Sequence, residues 1–285
     1  MTDGPATPRR TPAPALGRVL RTERLTPHLV RVVVGGATFA PFQPVEHADA
    51  YVKLMFLPDG PRPLAADGRL DLDAIGLPDG VQPRLRAYTV RAFDPAAHEL
   101  TLDVVVHGDA GLAGPWAARL TGGEEALVVG PGGAWSPSAS VDHHLFVGDA
   151  SALPAVAVAL ERLPADARGW AFVEIDGPHD ELALTVPAGV ELCWVHTDHG
   201  APGRRLVEHV RALPWPDGRV GAFLHGEAGT VREIRRYLRL ERGLARDDLS
   251  ASGYWRLGTD DEGWRRGKRA WAGEIEEQEQ AAGLV

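Results

Sequence analysis

Arg86-Ala87-Tyr88-Thr89-Val90-Arg91 sets an aromatic ring, a hydroxyl and two guanidiniums on one extended segment. Alternate side chains of a strand share a face, so Arg86, Tyr88 and Val90 look one way while Thr89 and Arg91 look the other. A strand ending near Thr89 offers both sets at its tip. There the ring can cover a flat cofactor, the hydroxyl can bond its edge, and a guanidinium can pair with a phosphate. Taken alone, the six residues favour an ordinary half-buried strand with solvated arginines. The decision falls to what flanks them.

From Gly17 to about Gly133 the chain reads as short strands bounded by Gly and Pro, among them residues 29–34 and 51–56. Residues 85–91 and 100–106, separated by 93–99, read as a β-hairpin. Several such strands predict a small antiparallel barrel, interrupted by one helix over 112–120. After Asp142 the rhythm becomes strand, helix, strand. Strands are expected over 144–148, 171–175, 192–196 and 220–225, with helices from Leu153 to Leu163, over 205–213, and from about Thr230 to Arg242. That alternation predicts an α/β half, a parallel sheet with helices on its faces. The expected division is a flexible leader at 1–16, a barrel at 17–140, an α/β domain at 141–258 and a helical extension at 259–285. A barrel followed by an α/β domain suits a flavin and a dinucleotide.

The 285 residues are 44% hydrophobic, enough for two filled cores. A formal charge of -9 disfavours nucleic-acid binding driven by phosphate neutralisation. The single cysteine, Cys193, excludes an intrachain disulfide and any multi-cysteine metal site, and its apolar strand makes it an inert core thiol. The first 17 residues, with Arg9-Arg10, lack a signal-peptide apolar core, and no run reaches the roughly 20 apolar residues of a membrane span. A reducing, cytoplasmic setting is expected.

Glycine-rich strand ends carry the remaining chemistry. His107-Gly108 closes a strand, and Gly111-Leu112-Ala113-Gly114-Pro115-Trp116-Ala117 opens a helix whose first amides can receive a pyrophosphate, or simply form a glycine-rich connection. Val129-Gly130-Pro131-Gly132-Gly133 reads as a tight structural turn. Val147-Gly148-Asp149-Ala150-Ser151 ends a strand and offers Ser151 as a helix cap, without the GxGxxG fingerprint. At Gly226-Glu227-Ala228 a carboxylate stands at a strand-to-helix junction, placed for a ribose hydroxyl or carboxamide, or for the helix end itself.

Together with Val104-Val105-Val106-His107-Gly108 and Gly253-Tyr254-Trp255-Arg256-Leu257-Gly258, these motifs occur in the order of the siderophore-interacting flavoprotein family. The resemblance runs from about Gly17 to Gly258. It implies a ferric-siderophore reductase of the ferredoxin-reductase-like superfamily, with FAD on the barrel and NAD(P)H approaching the α/β domain. By that similarity Arg86 faces the flavin phosphates, Tyr88 lies on the isoalloxazine, Thr89 bonds near its redox-active nitrogen, and Val90 adjoins them. His107, Gly108, Ala113, Gly114 and Trp116 belong to the pyrophosphate cover; Asp149, Ser151, Gly226, Glu227 and Trp255 belong to the nucleotide side. Two departures stand out. The family's Gly-Pro-Ala-Ser is replaced by Gly111-Leu112-Ala113-Gly114, and its Asp-Glu-Thr by Asp149-Ala150-Ser151.

An acidic protein that accepts an anionic ferric chelate needs a local positive surface, and Arg265, Arg266 and Lys268 supply one. Arg232, Arg235, Arg236 and Arg239 form a second basic group; pairing with Glu233, Glu241 and the run Glu274 to Glu277 makes solvated helix faces the simpler reading of both. Lys53 is the only other lysine. Neither His143-His144 nor His196-Thr197-Asp198-His199 has convincing ligand geometry, so no protein metal site is expected. The competing readings are a flavin reductase with a quinone, free flavin or small redox protein as acceptor, and a non-catalytic flavin- or chelate-binding module.

Overall fold

A computed structural model describes residues 13–284 apart from 41, 79, 110, 198 and 199. Most of the expected leader, with Arg9-Arg10, lies outside the described residues, as do Asp198 and His199. The barrel strands are β1 (Ala15–Thr26), β2 (Leu29–Gly35), β3 (Tyr51–Phe56), β4 (Arg84–Thr89), β5 (Ala92–Asp94), β6 (Glu99–Val105) and β7 (Glu125–Gly132). They pair antiparallel in the order β4-β3-β7-β1-β2-β6-β5, with two short helices, α1 (Leu72–Ile75) and α2 (Ala113–Arg119), between strands. Period-two sets such as Val32 and Val34, Val52 and Leu54, and Leu100 and Leu102 are fully buried in one cluster, which is why β-branched and leucine residues alternate there.

Three local expectations are corrected. β1 starts at Ala15, so the last residues assigned to the leader already belong to the barrel. The hairpin is β5 with β6, while β4 pairs with β3, Tyr88 opposite Val52 and Thr89 opposite Tyr51. The chain changes partner between neighbouring amides: Val90 N donates to Ala50 O at 2.7 Å and Arg91 N to Thr101 O at 3.0 Å. That bend carries the sheet round from β3 to β6. Finally, the stretch 129–133 is no free turn: its first four residues are the end of β7, irregularly paired with β3. A Cβ on Gly132 would lie 2.7 Å from the Tyr51 ring, so glycine there makes room for an aromatic side chain.

The second half contains β8 (His143–Asp149), α3 (Leu153–Glu161), β9 (Arg168–Ile175), β10 (Gly189–His196), α4 (Arg204–Ala212), β11 (Val220–Glu227), α5 (Ala228–Arg236), β12 (Leu249–Trp255) and α6 (Asp261–Ala281). The sheet is wholly parallel in the order β10-β9-β8-β11-β12. Strand order reverses direction between β8 and β11, and ligands of such sheets bind outside the carboxyl ends of the strands at that switch point. One apolar cluster holds α4, α5 and α6, including Trp264, Trp271 and Ile275 at helical spacing; another holds α3.

The α3 cluster also takes Leu29, Ala48 and Trp135 from the barrel side, so the halves share a core. Polar ties reinforce it. His28 Nδ1 meets Asp180 Oδ2 at 2.8 Å, and Arg91 pairs with Glu161. His28, Asp176 and Asp180 are close enough to hold a cation, but the Asp180 carboxylate is already engaged by the His28 ring and main chain. Among the described residues no helix is long and apolar enough to cross a membrane.

Candidate functional site

β4, the edge strand of the barrel sheet beside β3, ends at Thr89. Tyr88 is half-buried against the barrel core, and burial pushes its hydroxyl pKa well up; Thr89 and Val90 are buried beside it. Arg86 already has partners. Its Nη1 lies 2.8 Å from both Asp261 and Glu262 of the first turn of α6, and its Nη2 donates to Glu262 at 3.0 Å. Arg84 joins Glu262 at 3.1 Å, and Arg265 returns a bond to Leu85 O at 3.0 Å. The Arg86 contact holds the Glu262 carboxyl down to about 2.

Beyond β6, His107 and Gly108 are exposed and lead to α2. Ala113 is buried, Gly114 packs near Val105 O, and the Trp116 ring meets Phe56 edge-on at 5.8 Å. No side chain caps the first turn of α2. A half-buried ring, a hydroxyl, a cation and an uncapped glycine turn form a donor set that fits an aromatic ring system carrying a pyrophosphate.

Across the gap, Asp149, Ser151, Gly226, Glu227 and Trp255 come together as one clasp. Asp149 Oδ1 accepts from Ser151 N and Oγ; Oδ2 accepts from Glu227 N and Trp255 Nε1, both at 2.8 Å. Burial drives the Asp149 carboxyl pKa up despite these donors. Gly226 sits at φ +140, where a Cβ would come within 2.5 Å of Asp149 Oδ2. Ser151 does not cap α3: the helix begins at Leu153, its cap position is Ala152, and the serine hydroxyl turns back to Asp149. Glu227 caps α5 through Thr230 N at 2.8 Å and takes Leu257 N at 3.2 Å.

The three basic residues on α6 diverge because 3.6 residues make a turn. Arg265 reaches β4, Arg266 is exposed, and Lys268 Nζ donates to Ser252 Oγ at 3.0 Å. Burial, then the Lys53 charge, lowers the Lys268 pKa. Nearby His225 is pushed down to about 3 by burial and by Lys268; it meets Tyr254 edge-on at 5.1 Å. Burial also raises Tyr254, with Asp49 and Asp149 next. Sequence reasoning placed Tyr51 and Lys53 on a strand and Tyr254 in a motif but assigned none of them, nor Asp261 or Glu262, a role in the site. For Lys53 the signal was present, a lysine inside an otherwise apolar strand. In the second basic group Arg235 and Arg239 pair with buried Glu279 and Arg232 with the exposed Glu274, while Arg236 is exposed.

Comparison with known proteins follows the same division. Residues 18–135 match the siderophore-interacting FAD-binding domain, and residues 141–258 match the family described as siderophore-interacting protein. An uncharacterized protein of Mycobacterium tuberculosis is 44% identical over 271 residues, covering 89% of this chain and 94% of its own. The ferric vibriobactin reductase ViuB of Vibrio cholerae is 32% identical over 258 residues, covering 88% and 92%. The crystal structure of the siderophore-interacting protein SipS from Aeromonas hydrophila superposes with a TM-score of 0.76 at 31% identity, over 92% of this chain and 98% of that one.

Proposed function

The chain belongs to the siderophore-interacting protein family, and from that membership we propose that it reduces ferric siderophores with electrons from NAD(P)H. Bound FAD supplies what side chains lack, acceptance of a hydride and release of single electrons to chelated Fe(III). Fe(II) binds hard oxygen chelators less tightly, so reduction frees the metal. The observation that carries the reading is the β4 strand end with Arg86, Tyr88 and Thr89, tied by Arg86 to the first turn of α6, the helix that follows the carboxyl end of β12 in the parallel sheet.

In this reading Tyr88 covers one face of the flavin ring and excludes water, Thr89 donates to its edge, and the α2 turn takes the pyrophosphate with main-chain amides. Arg86 serves the phosphates by exchanging Asp261 and Glu262 for them. The absence of a serine at Gly114 leaves that exchange as the main side-chain contribution to phosphate binding. The Asp149 clasp fixes the strand ends β8, β11 and β12 against one another rather than touching a ligand. Lys268, half-buried beside Ser252, the half-buried Lys53 and the exposed Arg266 are the cations this reading offers to an anionic chelate.

The test compares acceptors. Protein loaded with FAD is mixed anaerobically with NAD(P)H and then with a ferric siderophore, a quinone, free flavin or a small redox protein. Turnover led by the ferric chelate supports the proposal. Turnover confined to the other acceptors assigns the chain to general flavin reductases, and flavin binding without bleaching by NAD(P)H makes it a binding module.

A further inference from the structure

Arg91 stands two residues past Thr89, where the chain turns from β3 toward β6. Its guanidinium pairs outside the barrel: Nη1 donates to Glu161 Oε2 at 3.0 Å and Nη2 to Glu161 Oε1 at 2.5 Å, a two-pronged contact that fixes direction as well as distance. The same side chain keeps Nε 3.8 Å from buried Asp103, which Arg31 holds with two bonds of 2.8 Å. Two guanidiniums thus share two carboxylates. Arg21, Arg31 and Arg91 line one groove of about 350 Å³, but Arg21 and Arg31 pair with Glu99 and Asp103 of the barrel itself. Among the described residues Arg91 alone of the three pairs with the α/β half.

Glu161 is the last residue of α3, whose residues 153–160 are all buried, so the helix has little room to shift by itself. At its other end Ala152 N donates to Asp149 O at 2.9 Å, and the Asp149 carboxylate takes Glu227 N and Trp255 Nε1. At 1.5 Å per residue α3 is a strut of roughly 13 Å. One end rests on the clasp that joins β8, β11 and β12; the other is gripped just past β4. Side-chain exposures of 18% for Arg91 and 35% for Glu161 limit what the pair adds to stability, and leave placement as its main effect.

We propose that Arg91 is a positioning residue: through Glu161 and α3 it holds the Tyr88 and Thr89 strand end in register with the strand ends of the α/β half. The inference rests on the electron-transfer reading above and adds the contact that sets the separation of the reacting groups. Reacting atoms must meet at about 3–3.5 Å, and a displacement of about 1 Å can cost about a hundredfold in rate, so partial loosening should cost about tenfold.

Two readouts test it. In flavin-free, full-length protein, hydrogen exchange of the Val90 and Arg91 amides, which donate to Ala50 O and Thr101 O, should quicken about fivefold or more in Arg91→Gln and in Glu161→Gln. In FAD-loaded protein, anaerobic bleaching at saturating NAD(P)H should slow about tenfold in each, while FAD retention and the half-saturating nucleotide concentration stay within about twofold. The double variant should also slow only about tenfold, because both changes remove one contact. Arg91→Lys keeps a charge beside Asp103, which protects folding, and still slows bleaching, since an ammonium cannot grip both Glu161 oxygens as a fork does. His28→Gln removes a different polar tie between the halves, to Asp180, and should leave bleaching within about twofold. Unchanged exchange, or unchanged bleaching in both single variants, overturns the inference, as does a loss of about a hundredfold in the double variant, an equal loss in His28→Gln, or a loss of FAD retention that matches the loss of rate. If neither NADH nor NADPH bleaches the wild type, the proposed function falls, and the exchange measurement alone decides whether Arg91 holds the strand end.

Discussion

Replacing Asp149 separates a strand-end clasp from a ligand contact. The Asp149→Ala chain loses the acceptor for Ser151 N, Glu227 N and Trp255 Nε1, and the serine hydroxyl loses its partner as well. An unpaired buried donor costs about 1–3 kcal/mol, and water entering the vacated space recovers part of that, so the expected loss is roughly 3–5 kcal/mol. That is a large share of the ~5–15 kcal/mol stability of a typical domain. Asp149→Asn keeps one oxygen for two of the donors but turns an amide N–H toward the others, and should cost roughly 2–3 kcal/mol. Urea unfolding followed by tryptophan fluorescence and far-ultraviolet circular dichroism gives both numbers. The reasoning is refuted if Asp149→Ala unfolds within about 1 kcal/mol of wild type. A variant of unchanged stability that has lost nucleotide binding would make Asp149 a ligand residue instead.

Three further outcomes follow from single contacts. Burial raises the Glu174 carboxyl from 4.5 to about 6, so its stabilising contribution is complete below pH 4.5 and is lost as pH rises through 6. The stability cost of Glu174→Gln should therefore shrink by about 2 kcal/mol between pH 4 and pH 7.5, and a cost independent of pH would contradict the shift. Gly226→Ala places a methyl against the Asp149 carboxylate at a φ that disfavours side chains; a destabilisation of roughly 2–4 kcal/mol is expected in denaturant titrations, and a neutral result would show that the clasp yields. Tyr88→Ala should weaken FAD retention about tenfold or more by equilibrium dialysis while leaving the barrel folded, and unchanged retention removes Tyr88 from the flavin site.

The end of β4 and the alternation after Asp142 were legible because strand and helix periods are local properties of the chain. Partner choice was not. Nothing within residues 85–106 says that β4 lies beside β3, since that pairing depends on the bend at Val90 and on Tyr51 to Phe56 arriving from elsewhere. The same limit hid the Arg86 contacts. An arginine before a tyrosine reads as a phosphate ligand, yet its present partners, Asp261 and Glu262, lie more than half the chain away. Ser151 was misread as a cap because a serine before an apolar helix usually is one. Here Asp149, two residues earlier, offers a stronger, charged acceptor. The glycines at 130–133 suggested a turn by composition, whereas Gly132 answers to the Tyr51 ring, a contact between strands.

The central claim, electron flow from NAD(P)H through a flavin on the barrel to chelated Fe(III), is met most directly by one anaerobic measurement. FAD-loaded protein is reduced with a stoichiometric amount of NADH, a ferric siderophore is added, and flavin absorbance is followed in the presence of a chromogenic Fe(II) chelator. The account predicts bleaching by NADH and return of the oxidised flavin spectrum on adding the ferric chelate, with one Fe(II) trapped for each electron the flavin held. A flavin that stays reduced in the presence of the ferric chelate, with no Fe(II) trapped, would contradict it.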